Sequence, residues 1–200
     1  LKLLLMQALH KDAEVYIADF KGGVDYPKVW HEKCRMCFTE EDLLYTLNQL
    51  VAVLEYRKKA LKELGSPNID AYNETTENKL PRLIFACDEV AELLDRTGRG
   101  KEDKERLAQI ENKLATLARL GRAFGIHLIL ATQRPDATII PGQIRHNMDF
   151  RVCGRADNVL SQIILDNTSA AEQIPKDARG RFITGDGTVF QGYLFDEGQL

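Results

Sequence analysis

The chain has 200 residues, 44% of them hydrophobic, enough to bury a sizeable core. Its net charge of −3 argues against a stand-alone nucleic-acid binder, which would carry a basic balance. No apolar run approaches the ~20 residues that span a bilayer, and no secretory segment is read, so the four cysteines are expected in a reducing compartment.

Leu1 to Leu9 reads as an opening helix. Glu14 to Asp19 follows as a short apolar strand that runs into Phe20-Lys21-Gly22-Gly23. The glycine pair suits a tight turn and a close backbone approach. Lys21 is placed either to face a phosphate or Glu89, or to lie solvated in the turn. His31, Cys34 and Cys37 have a spacing that invites zinc. Zinc needs about four ligands, and Cys87 and Cys153 fall in apolar strand patterns, where they serve as small core residues. Thr39-Glu40-Glu41-Asp42 is a capping box opening a helix to about Glu63. Leu43, Leu47, Leu50, Leu54 and Leu61 form its apolar face, and Gly65 ends it. Ser66 to Lys79 reads as a polar loop region.

The apolar run Arg82-Leu83-Ile84-Phe85-Ala86-Cys87 ends in Asp88-Glu89. Such a run reads as a strand buried on both faces of a parallel sheet. Carboxylates at its end are costly unless something cationic meets them. In a nucleotide-hydrolysing α/β domain that cation is Mg²⁺ with its phosphates. Asp88 then holds the ion, and Glu89 orients or deprotonates the attacking water. Alternatively the two acids merely begin the next helix, where they suit its dipole. Lys101 to Phe124 is a long amphipathic helix with Leu107, Ile110, Leu114, Leu117 and Phe124 inward. Gly125 stops it. His127 to Gln133 is a second buried strand ending in polar Thr132 and Gln133, with Pro135 barring continuation. Neighbouring strands that release polar groups at their carboxyl ends build one crevice, where a glutamine can position water. Ordinary loop capping is the plainer use of Thr132 and Gln133. Phe150 to Cys153 reads as a strand, Ser169 to Ile174 as a short helix, and Phe182 to Phe195 as a hairpin around Gly185-Asp186-Gly187. Alternating strands and helices predict an α/β fold with a mostly parallel sheet.

These motifs resemble the FtsK/SpoIIIE DNA-translocating ATPases over nearly the whole chain. Asp19 to Gly23 is similar to the element after that family's second strand. Ile84 to Leu93 resembles its Walker B strand and helix. The segment from Gly125 to Thr132-Gln133-Arg134-Pro135 is close to a family signature. Ile144 to Asp166, with Arg151 and Ser161, resembles the strand and helix that follow, and Gly180-Arg181-Phe182 the terminal strand. The Asp-Phe-Lys-Gly-Gly wording is nearer to ATPases of conjugative elements and of type VII secretion than to chromosome-segregation members.

The resemblance implies a RecA-like P-loop NTPase core flanked by helices, with a C-terminal β-hairpin. It implies a single ATPase domain over residues 1–200, using ATP and Mg²⁺. Asp88 would coordinate the metal, Glu89 would be the catalytic carboxylate, and Thr132 and Gln133 would sense the γ-phosphate or place water. Lys21 would contact the nucleotide. Arg151 is a candidate finger acting on a neighbouring subunit's nucleotide, against a plainer strand-end salt bridge. Arg145 and His146 are candidates for an interface or DNA, and Arg134 for anchoring the turn. The implied function is an ATP-driven translocase or coupling ATPase for double- or single-stranded DNA, in conjugation. It would act as a homo-oligomeric ring, expected to be a hexamer. Its place would be cytoplasmic, with any anchor at the inner face of the cell membrane lying outside these residues. The alternatives are a type VII secretion ATPase with protein cargo and a nucleotide-free interaction module. No Gly-x-x-x-x-Gly-Lys-Ser/Thr occurs; Gly98-Arg99-Gly100-Lys101-Glu102 lacks the hydroxyl and the leading strand. The opening helix resembles the one that follows a Walker A loop. The expectation is therefore that the sequence starts just after that motif and that the isolated chain is inactive.

Overall fold

The short apolar runs pair side by side. β1 (Glu14–Ala18), β2 (Arg35–Cys37), β3 (Leu83–Cys87) and β4 (Ile126–Leu130) form a parallel sheet in the order β2-β1-β3-β4. The computed structural model describes residues 1–133, 140–196 and 198. Ala18 is in register with Cys37 on one side and with Cys87 on the other, and Cys87 with Leu130. The strands therefore end level, and residues 19, 88 and 131 leave the sheet together.

Central β3 is buried along almost its whole length. β4 departs from expectation, being only half-buried from His127 to Leu130. The cause is its place: it has a neighbour on one side only among the described residues. It also ends at Leu130 and not at Gln133.

Helices follow from capping and apolar spacing. α1 (Lys2–Leu9) precedes β1. α3 (Glu40–Glu63) starts at Thr39, whose hydroxyl accepts the Asp42 N–H at 3.1 Å. Its predicted leucines are all buried, and so is Arg57. α6 (Lys101–Leu120) buries Leu107, Ile110, Leu114 and Leu117 and packs along α3. Arg106 of α6 and Arg99, in the turn before it, both reach Glu40 at the start of α3.

Three features were not expected. α2 (Lys28–Lys33) and the short β2 fill the stretch after the glycine pair. α4 (Ile69–Thr75) lies inside the expected polar loop. Asn68 caps it by accepting the Ala71 N–H at 3.0 Å, while Ile69 and Tyr72 bury one face. The helix read to Phe124 is α-helical only to Leu120 and ends in a 3₁₀ turn, Gly121–Phe124. An added Cβ at Gly121 would lie 2.5 Å from the Ile126 carbonyl oxygen, so glycine permits this tight junction.

Two compact units make up the chain, Leu1–Ala131 and Thr132–Leu200. In the second, α7 (Gly142–Arg145) precedes β5 (Val152–Cys153), which pairs with β6 (Arg181–Thr184). β6 turns into β7 (Val189–Gln191), giving the expected hairpin. All pairing here is antiparallel, so β5 is no member of the parallel sheet. α8 (Asn158–Leu165) and α9 (Ser169–Gln173) pack against this sheet around Cys153, Leu165, Ala170, Ile174 and Ile183. Ser161 joins the two helices: its buried hydroxyl donates to the Asn167 carbonyl at 2.8 Å and accepts the Ala170 N–H at 3.0 Å.

Candidate nucleotide and metal site

The level ends of β1 and β3 put Asp19 and Asp88 on adjacent strands. Asp19 is 2% exposed. Its Oδ1 accepts the Lys21 N–H at 2.9 Å, which folds the loop back over the strand end. Its Oδ2 is buried and has no hydrogen-bond partner among the described residues. Lys21 Nζ lies 3.4 Å from Asp25 Oδ2 and 3.9 Å from Asp88 Oδ2. Asp19, Phe20, Lys21, Asp88, Glu89 and Glu92 line a small recess at this point. Tyr26 is buried and packs edge-on against Trp30 with ring centroids 5.5 Å apart.

Electrostatics match this geometry. Burial pushes the Asp88 carboxyl above the usual aspartate range; the Lys21 ammonium opposes this, while the Asp25 and Asp19 carboxylates add to it. The side chains that line the recess set four acids against one cation, Lys21. A divalent cation fits such a place. Among the described residues no group of three or more His, Cys, Asp or Glu side chains is arranged to hold a metal. Mg²⁺ takes one or two carboxylates and fills its octahedron with waters and phosphate oxygens. At His31, Cys34 and Cys37, both cysteines are buried free thiols, and the His31 ring lies 5.4 Å from that of Phe38.

Glu89 occupies the N-cap position of α5 (Val90–Leu94) but makes no side-chain capping bond. Its place at the helix start also suits the helix dipole, the plainer reading of this acid. The next β-strand approaches through Ala131, whose N–H donates to the Cys87 carbonyl at 2.9 Å and whose carbonyl accepts the Val90 N–H at 3.0 Å. Thr132 and Gln133 follow Ala131 directly and open the second unit. The structure thus brings Lys21, Asp88 and Glu89 together, while Thr132, Gln133 and Arg151 belong to the other unit. Arg134 and Pro135 lie outside the described residues.

Arg151 is held by its own unit. Its guanidinium donates to the carbonyls of Met148 and Arg145 at 3.0 and 3.2 Å and pairs with Asp166 at 2.5 Å. Arg145 ends α7, and His146 caps it with its backbone N–H on the Gly142 carbonyl.

Two residues escaped the sequence reading. The sequence marks Asp19 as a strand end and as the start of the Asp19 to Gly23 element without assigning it a role, yet its place beside Asp88 follows once β1 and β3 are paired. Arg57 sits on the leucine stripe 50-54-57-61, where an arginine is conspicuous. It donates to the Phe124 and Pro81 carbonyls, each at 2.7 Å, and so ties together the chain entering β3 and the chain entering β4.

The FtsK/SpoIIIE family profile matches residues 12–137, which span this site. The chain belongs to the FtsK/SpoIIIE family. Over 183 residues it is 31% identical to the DNA translocase FtsK of Chlamydia pneumoniae, covering 84% of this chain and 22% of that protein. Over 130 residues it is 37% identical to the DNA translocase FtsK of Chlorobaculum tepidum, covering 64% of this chain and 15% of that protein. Among solved structures, the pCW3 conjugation coupling protein TcpA, in a monomer form with ATPγS, superposes with a TM-score of 0.92 at 38% identity. That match covers 98% of this chain and 56% of the TcpA chain. ATPases 2 and 3 of EccC from Thermomonospora curvata, in complex with a signal sequence peptide, give 0.67 at 23% identity, over 91% of this chain and 32% of that one. This second likeness shows the fold alone. The FtsK/SpoIIIE assignment agrees with the P-loop NTPase fold that the resemblance implies, and the TcpA match agrees with the conjugative branch.

Proposed function

We propose that this FtsK/SpoIIIE chain is the Walker B-bearing part of an ATP-driven DNA translocase that serves as a coupling ATPase in conjugative transfer. The observation that carries the reading is the acid pair Asp88-Glu89 at the end of central β3, in a recess lined by four acids and one cation, Lys21. The TcpA likeness favours DNA as cargo over the protein cargo of the type VII reading, because the EccC identity is too low to speak for function.

Asp88 would hold Mg²⁺, which when bound would offset the charge developing on the phosphates. Glu89 would orient and deprotonate the attacking water. Lys21, already close to Asp88, would turn its ammonium towards the phosphates. Thr132 and Gln133 would meet the γ-phosphate or the water, and Arg151 would act on a neighbouring copy in a hexameric ring. With no Walker A pattern among its 200 residues, the isolated chain would be inactive. No helix among the described residues is long and apolar enough to cross a membrane. The complete protein would work in the cytoplasm, with any anchor at the inner face of the membrane lying outside these residues.

The test is Glu89→Gln in the full-length protein. A carboxylate that acts on water in the transition state contributes little to holding ATP. Turnover should fall by about 10²–10⁴-fold, the usual worth of general-base catalysis. Nucleotide affinity should stay close to wild type. Near-normal turnover would remove Glu89 from the mechanism. Stimulation of wild-type turnover by double-stranded DNA supports the cargo assignment, and stimulation by a secretion-signal peptide alone would transfer the protein to the type VII reading.

A further inference from the structure

The register that pairs Ala18 with Cys87 sends the next residue of each strand, Asp19 and Asp88, into the same place. Only Asp19 of these two is deeply buried, at 2% exposure. One of its oxygens is committed to the Lys21 backbone N–H. The other, Oδ2, is buried without a hydrogen-bond partner among the described residues. A buried carboxylate oxygen left without a donor is expensive. The side chains that line the recess do not supply one. The side chains that share the recess with it are Phe20, Lys21 and the acids Asp88, Glu89 and Glu92. Ionised acids donate nothing. The ammonium of Lys21 is turned to Asp25 and Asp88 instead.

A lone water would give Oδ2 a donor but would leave the charge of the acids unmet. A hydrated divalent cation supplies both, through the O–H groups of its waters and through its charge. We propose that Asp19 is the second carboxylate of the divalent-cation site, holding the hydrated ion through Oδ2 beside Asp88. In this arrangement Lys21 occupies part of the cation's electrostatic role while the ion is absent. The proposal rests on the reading of Asp88 as the metal-holding acid, and the two are separable by experiment.

The experiment titrates Mn²⁺ into the nucleotide-free full-length protein and counts free ion by electron paramagnetic resonance. Asp19→Asn is the variant of choice, since its amide oxygen still accepts the Lys21 N–H and the loop keeps its anchor. Saturable binding in wild type should weaken about tenfold or more in Asp19→Asn, the size of effect seen when a metal's supporting groups are removed. Asp88→Asn should weaken it comparably. Glu92→Gln, at the edge of the same recess, should bind within about twofold of wild type. Should Asp19→Asn misfold, Asp19→Ser also keeps an oxygen for the Lys21 N–H, and the same loss is expected. A second readout is thermal: Mn²⁺ should raise the wild-type Tm and leave that of the Asp19 variant unmoved. If Asp88→Asn loses the ion while Asp19→Asn binds as wild type, the inference about Asp19 falls and the role of Asp88 stands. If neither variant differs from wild type, or wild type shows no saturable binding, both fall.

Discussion

Asp88 ends β3 where its charge is disfavoured, and that has a measurable consequence for the unliganded protein. Burial raises its pKa, Lys21 opposes the rise, and the acids Asp25 and Asp19 reinforce it. A group whose folded pKa lies above its unfolded value, ~3.9 for aspartate, adds stability below the unfolded value. That contribution is lost as pH rises through the folded pKa. At neutral pH the ionised Asp88 therefore weakens the fold. Asp88→Asn should raise the Tm of the nucleotide- and metal-free protein at pH 7, by about 2–4 °C if the gain is near 1 kcal/mol. Lys21 keeps Asp25 as its partner in that variant. The gain should shrink as pH falls towards ~4, below which both proteins carry a neutral group at this position. Thermal unfolding monitored by circular dichroism across this range checks it. A variant less stable than wild type at pH 7 would show that the Lys21 contact outweighs burial. Stability gained on losing activity is the usual mark of a residue kept for function.

The elements that present the acids are fixed at their opposite ends by a junction of glycine and arginine. Gly125 has φ +71°, a left-handed conformation that glycine adopts without cost. A Cβ there would penetrate Ile69 and lie 3.2 Å from Arg57 Nη1. Its carbonyl accepts the Leu83 N–H at 2.8 Å, the first bond between the chains entering β3 and β4. Gly125→Ala should therefore destabilise the fold by roughly 2–4 kcal/mol, joining a strained φ to overpacking. Urea unfolding measures this; a loss under about 0.5 kcal/mol would mean that Ile69 and Arg57 yield freely. This junction marks the limit of what the sequence displays. Gly125 could be read as a helix stop, since glycine after an amphipathic run is a local signal. Its contact with Ile69 depends on α4, which hid in a polar stretch because one asparagine cap and two apolar residues make a weak pattern. β3 was plain because a buried strand writes a continuous apolar run. β2, three residues long, writes none. The acids of the site were legible as an abrupt change from apolar to charged. Asp19 showed the same change, but its meaning required the pairing of strands whose partner residues lie 69 positions apart (Ala18 with Cys87), and register is set by packing that no local pattern records.

At the scale of the whole molecule the open matter is whether Arg151 serves its own unit or a neighbour's nucleotide. Within one copy it is fully engaged, by Asp166 and by the carbonyls of Met148 and Arg145. A purely structural role predicts that breaking the pair from either side is equally harmful. Action in trans predicts an asymmetry. Arg151→Ala removes the cation that offsets transition-state charge and should lower turnover of the full-length protein by about 10³-fold or more, as for other arginine fingers. Asp166→Asn leaves the guanidinium in place, with its carbonyl partners, and should retain most of the turnover. Equal losses in the two variants would return Arg151 to the salt bridge seen here. Mixing carries the test across subunits. Arg151→Ala and Glu89→Gln are each expected to be inactive alone. A mixed ring contains interfaces with an intact Glu89 on one side and an intact Arg151 on the other. If the arginine acts on its neighbour, the mixture recovers part of the wild-type ATPase rate, and recovery peaks near equal proportions, where such interfaces are most numerous. If Arg151 acts only within its own chain, no combination restores a site holding both groups. A mixture that stays inactive, in rings shown by mass spectrometry to contain both variants, removes the arginine from the neighbour's site.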